Sequence, residues 1–156
     1  MTKPKNLEAE RARFAFKRAQ EGNKKQAKGD GFNYSAAVQE LSSMIRMNGF
    51  RATMAYYYSK GGGHKDVFCD IESWFREIEP TRMLQSKFDP TIVDSGDKKK
   101  KPEDRRATIF MEVLLNLDDD LYRITQAEVL TLANWLIRFV KTEAINQISE
   151  NDVTAP

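Results

Sequence analysis

A chain of 156 residues, 40% apolar and 31% charged, has the length and balance of one domain that buries a core without disulfide or metal staples. A single cysteine, Cys69, excludes an internal disulfide, and a single histidine, His64, excludes a two-histidine metal site. The net charge of +2 hides an uneven spread, because residues 1–28 hold nine Lys or Arg against three acids and the remainder sixteen against twenty.

The basic N-terminal stretch contains the first predicted helix, residues 6–21, where Leu7, Phe14, Ala15 and Phe16 sit among charges spaced for i,i+4 pairing. Gly22 is expected to end it, ahead of a polar loop to Gly31. Over 33–47, Tyr34, Val38, Leu41 and Ile45 recur at three- and four-residue steps and predict a second amphipathic helix. Asn48-Gly49 breaks that pattern. A third helix follows from about Phe50 to Lys60, with Gly61 as its C-terminal stop. It sets Tyr56, Tyr57 and Tyr58 side by side. Successive helix positions lie about 100° apart, so the three rings cannot all face one core, and at least one is expected outward, at a subunit contact.

Residues 66–78 place Val67, Ile71, Trp74, Phe75 and Ile78 on one helical face. From Pro80 to Asp104 the periodicity dissolves into prolines and "DSGDKKKK", which predicts a long, flexible excursion within a single helical domain spanning 1–156. Helix resumes at "RRATIFMEVLLNL", and "DDD" serves as a solvated turn and as N-terminal charge for the next helix. The last helix is expected to open at Thr125, with Glu128 closing a capping box. From Val129 to Val140 it is apolar nearly all round, broken only by a strip of Thr131, Asn134, Arg138 and Lys141, and it is expected at the centre of the bundle. No alternating strand pattern is present. The fold class is all-α, a bundle of about six helices.

Catalysis requires a base, a nucleophile and an orienting group brought together, and no such set is visible. His64 lies in "KGGGHKD" and reads as a helix N-terminal or exposed residue, Cys69 as a small buried hydrophobe. The glycine run lacks the order of a phosphate-binding loop and follows a helix, not a strand. No enzyme, cofactor or metal is expected. The N-terminal "MTKPKNLEAERARF" has no apolar h-region, and no run of about 18 apolar residues occurs, so a cytoplasmic protein with no membrane partner is expected.

Two segments carry a resemblance. "LSSMIRMNGFRATMAYYYSKGG" resembles the core motif, and "YRITQAEVLTLANWLIRFVKTEA" is similar to the C-terminal helix, of the small helical subunit of the type III-B CRISPR effector, the Cmr complex. The basic "RARFAFKRAQE" is like that family's first helix. The resemblance implies a non-catalytic subunit in antiviral defence. Its copies would stack head to tail into the inner filament, beside the large polymerase-like subunit and the backbone subunits, and contact CRISPR RNA and target RNA. The matching cations for the RNA backbone are Arg46, Arg51, Arg138, Lys17 and Arg18; Lys60 and Lys141 are added from the pattern of this chain alone. The alternative is a helical protein–protein adaptor with no nucleic-acid role.

Overall fold

A computed structural model describes residues 6–29, 33–79, 82–88 and 99–153, the side chains of Ser86 and 143–153 apart. Six α-helices appear among them: α1 Leu7–Ala27, α2 Tyr34–Asn48, α3 Phe50–Lys60, α4 Gly62–Ser73, α5 Pro102–Leu115 and α6 Asp119–Val153. A π-helical turn, Trp74–Ile78, prolongs α4, closed by Glu79 N donating to the Trp74 carbonyl at 2.7 Å. A 3₁₀ turn covers Gln85–Lys87. The described residues contain no strand. The fold is an all-α single domain.

Cross-helix pairs fix the directions. Lys25 meets Asp66 and Arg18 meets Asp70, while Phe14 packs on Trp74, so α4 runs antiparallel to α1. Arg11 binds Glu128, and Asn23 donates to the Val140 carbonyl, so α6 runs parallel to α1. Helices α2 and α4 form the inner pair, each packed against four other helices. Trp74, Tyr34, Tyr57, Phe50, Phe68, Phe75 and Phe110 are fully enclosed around them.

The expected central position of the last helix gives way to a flanking one. α6 packs mainly on α1 and α2. Val129, Leu132, Ala133, Leu136 and Val140 form its single buried face, whereas Leu130, Trp135, Ile137 and Phe139 are half-buried. Its start also differs from expectation. Asp118 caps the helix, its Oδ1 accepting from Leu121 N at 2.9 Å, about two turns before Thr125. Thr125 is therefore interior and fully buried. Glu128, with no cap to close, instead accepts from Arg11 Nε at 2.8 Å and from Trp74 Nε1 at 3.1 Å, joining α1, α4 and α6.

Glycine misleads twice. α1 continues past Gly22 to Ala27, because Gly22 marks a close approach: a Cβ there would lie 2.1 Å from Tyr34 Cε1. Gly62 and Gly63 form the first turn of α4, and a Cβ on Gly63 would lie 2.1 Å from the Tyr34 backbone nitrogen. Gly49 and Gly61 do end their helices, at φ +88° and +78°, values that L side chains rarely adopt. Of the predicted excursion over 80–104, positions 80–81 and 89–98 lie outside the described residues. Helix begins at Pro102, where a proline's missing N–H and fixed φ suit a first turn.

Candidate nucleic-acid and subunit interface

The predicted cations divide into those held by the fold and those presented on its surface. Arg51 belongs to the fold. Its Nε donates to the Leu114 carbonyl at 3.0 Å and its Nη2 to the Leu117 carbonyl at 2.8 Å, and its guanidinium lies over the Tyr122 ring. It thus satisfies the orphan carbonyls where α5 ends. Arg18 is also engaged, 3.7 Å from Asp70 and 3.9 Å from Glu21 and over the Phe14 ring. Both were expected at an RNA backbone, and both have partners distant in sequence, Asp70 for Arg18 and the carbonyls of α5 for Arg51, that spacing could not reveal.

Lys17, Arg46, Lys60, Arg138 and Lys141 are exposed. Lys60 donates to Tyr56 Oη at 2.7 Å, and Arg138 lies over the Trp135 ring at 5.5 Å. No carboxylate pairs with any of these five among the described residues. Arg138 borders the α1–α6 seam, where the Phe16 and Phe139 rings meet edge to face at 5.2 Å, whereas Lys17 stands about 100° round α1 from Phe16, on its solvent side.

The three tyrosines separate as helical geometry demands. Tyr57 is fully buried and donates to the Ala37 carbonyl at 2.6 Å; it belongs to the core and no second chain can reach it. Tyr58 is half-buried against Phe68, its hydroxyl 2.9 Å from that of Thr108. Tyr56, 38% exposed, is the outward ring. His64 is helix N-terminal as expected but buried, its Nε2 2.5 Å from Glu40 Oε1 and its ring against Tyr56 and Tyr57.

The ends of the bundle differ in charge. One end gathers the C-termini of α1 and α3 and the N-termini of α4 and α5, with Lys24, Lys25, Lys28, Lys60, Lys65, Lys100 and Lys101. Of these, Lys25 and Lys65 pair with Asp66 and Asp104. The other end carries Glu8, Glu112 and Asp118–Asp120 against Arg46 and Arg123, with Met47, Leu115 and Ile124 exposed there.

Between α1, α4 and α5 lies a cleft of about 350 Å³, lined by Arg18, Arg76, Arg106, Asp66, Asp70 and Glu72 among others. Its charges mostly neutralise one another, with Arg76 held by Glu72 and Glu77. Asp70 is the unusual group. Burial pushes its carboxyl up to about 7, against the opposing pull of the Tyr34 hydrogen bond and of Arg18. Tyr34 Oη lies 2.7 Å from Asp70 Oδ2 and 3.2 Å from the Arg18 carbonyl oxygen. One hydroxyl proton cannot serve both acceptors fully, so Tyr34 shares its donation between Asp70 and the Arg18 carbonyl. Cys69, beside it, is half-buried, and burial pushes its thiol up to about 11, well away from thiolate reactivity.

Compared with known families, residues 7–143 match the sequence profile described as CRISPR-associated protein (Cas_Cmr5). The chain belongs to the Cas_Cmr5 family. It is thus a small subunit of the type III-B Cmr complex in CRISPR defence. The match spans every helix described above, the last as far as residue 143, so the Cas_Cmr5 assignment rests on the whole bundle and not on one motif. No curated protein matches the chain. No helix among the described residues is long and apolar enough to cross a membrane.

Sequence reasoning missed the seam formed by Phe16, Trp135 and Phe139. It placed Trp135 and Phe139 among the residues of an all-round apolar helix. The spacing of Trp135, Arg138 and Phe139, at i, i+3 and i+4 beside an exposed polar strip, was the available signal.

Proposed function

We propose that this Cas_Cmr5 chain is a non-catalytic subunit that stacks into the inner filament of the Cmr complex and contacts the guide and target RNA backbone. Lys17, Arg46, Lys60, Arg138 and Lys141 are its RNA-facing cations, and Tyr56 is its aromatic subunit contact. The observation that carries the RNA reading is that Lys17, Arg46, Lys60, Arg138 and Lys141 stand exposed with no carboxylate partner among the described residues, Arg138 beside the α1–α6 seam. Cations left unpaired on a surface attract a polyanion without reading its bases. Stacking is supported by the two ends, one rich in lysine with Tyr56 close by, the other in aspartate with exposed Met47, Leu115 and Ile124. Opposite charge and apolar surface at opposite ends suit a head-to-tail contact.

The test is recovery of the assembled complex through a tagged copy carrying Lys17→Glu and Arg138→Glu. The sibling subunits should still co-purify, and single-stranded RNA should bind more weakly with a flatter salt dependence. RNA binding unchanged by the double charge reversal would favour the adaptor reading. A chain that stays solitary when all other subunits are supplied would overturn the filament.

A further inference from the structure

On the outer seam of α1 and α6, three aromatic rings form a ladder. Phe16 meets Phe139 edge to face at 5.2 Å, and Phe139 stacks on Trp135 at 5.9 Å with 19° between planes. None is enclosed: Phe16 is 44% exposed, and Trp135 and Phe139 are half-buried. Leaving such rings in water forgoes hydrophobic stabilisation that the core could have used, and contiguous exposed apolar surface marks a contact site. The surroundings indicate its partner. Arg138 lies over the Trp135 ring, Arg13 stands one turn before Phe16 with Glu10 as its partner, and Glu21 is held by Arg18. Flat rings bordered by cations, with no free carboxylate among the described side chains of the seam, match a strand that is anionic along its backbone and planar along its bases.

We infer that Phe16, Trp135 and Phe139 form a stacking platform for unpaired bases of single-stranded RNA, which makes this subunit selective for single strands over duplex. The inference rests on the RNA reading above and deepens it, because it assigns base faces, not only phosphates, to the seam. Base–aromatic stacking tolerates every sequence, since each base has a π-face. Bases inside a duplex offer no free face to a ring. Backbone contact alone would bind both forms and any other polyanion.

Trp135 reports on its own site, because the other tryptophan, Trp74, is enclosed in the core. The full-length chain is titrated with a short single-stranded oligouridine, with duplex RNA of equal length and with inorganic polyphosphate. Tryptophan emission and binding are followed for the natural sequence, Trp135→Phe and Phe16→Ala. The last variant removes an exposed ring and leaves the core intact.

The expected result is saturable quenching by oligouridine that Trp135→Phe abolishes, with neither duplex nor polyphosphate quenching. Phe16→Ala should lose about tenfold in affinity for the single strand and nothing for polyphosphate. Binding of oligouridine without quenching, or equal losses for oligouridine and polyphosphate, would overturn the platform and leave the backbone contact standing. No binding of any polyanion would overturn both. Loss of self-association in Phe16→Ala by sedimentation, with oligouridine affinity unchanged, would show the ladder to be a protein contact and likewise overturn the platform.

Discussion

Replacing Asp70 by asparagine should stabilise this protein at alkaline pH, by an amount that shrinks as the pH falls and vanishes below about pH 4. The carboxyl is buried, and its pKa rises from 3.8 to about 7. The folded state therefore holds the proton more tightly than the unfolded chain does. Stability from this group is greatest below pH 4 and is lost as the pH climbs through 7. One pKa unit is worth 1.36 kcal/mol, so the full shift corresponds to about 4 kcal/mol of strain above pH 8. Arg18 and Tyr34 act on the ionised form, with Glu21, Asp66 and Arg106 around the same cleft, so a gain of about 2–4 kcal/mol is expected for Asp70→Asn there. Asparagine keeps both roles, with its oxygen able to accept from Tyr34 and its amide able to donate. Urea unfolding followed by circular dichroism from pH 5 to 8 measures the effect. The natural sequence should lose stability across that window, and the difference between the two proteins should grow with pH. A variant less stable than the natural sequence at pH 8 would show that ionised Asp70 is held favourably by Arg18, and the burial argument would fail.

Gly63→Ala should destabilise by about 3 kcal/mol or more, since the new methyl meets the Tyr34 backbone, which cannot rotate away; a thermal shift of only a degree or two would refute this close approach. Arg51→Ala should cost about 2 kcal/mol by freeing the carbonyls of Leu114 and Leu117, yet leave RNA affinity per folded molecule unchanged; a specific loss of RNA binding at full stability would restore Arg51 to the nucleic-acid surface. Glu128→Ala should cost about 3–5 kcal/mol, because Arg11 and Trp74 Nε1 both lose their acceptor, and calorimetry should show the lower midpoint.

The elements whose stops are backbone properties were legible from the chain alone. α2 and α3 lie where the apolar steps and the Asn48-Gly49 and Lys60-Gly61 junctions place them, because a positive φ is a local demand that glycine meets by itself. Gly22 and Gly63 were opaque for the opposite reason. What matters there is the missing Cβ against Tyr34, a contact between helices distant in sequence. Thr125 and Glu128 have capping-box spacing, yet Asp118 nucleates the helix earlier and Glu128 is drawn to Arg11 and Trp74. Local spacing cannot rank two competing caps. Of the candidate site, the outward tyrosine was foreseeable in kind but not in position. Arg51 shows the limit most sharply, for a cation beside a conspicuous glycine turn invites a ligand until the carbonyls of α5 come into view.

Tyr34 sits where α1, α2 and α4 converge: its ring lies against Gly22, its backbone against Gly63, and its hydroxyl between Asp70 and Arg18. A side chain pinned on three sides acts as a locking pin between rods. α1 and α4 cannot slide past each other by a fraction of a turn without expelling it. If copies stack as proposed, curvature of the array must arise at the joints between them, each chain acting as a rigid bead whose spacing sets the pitch.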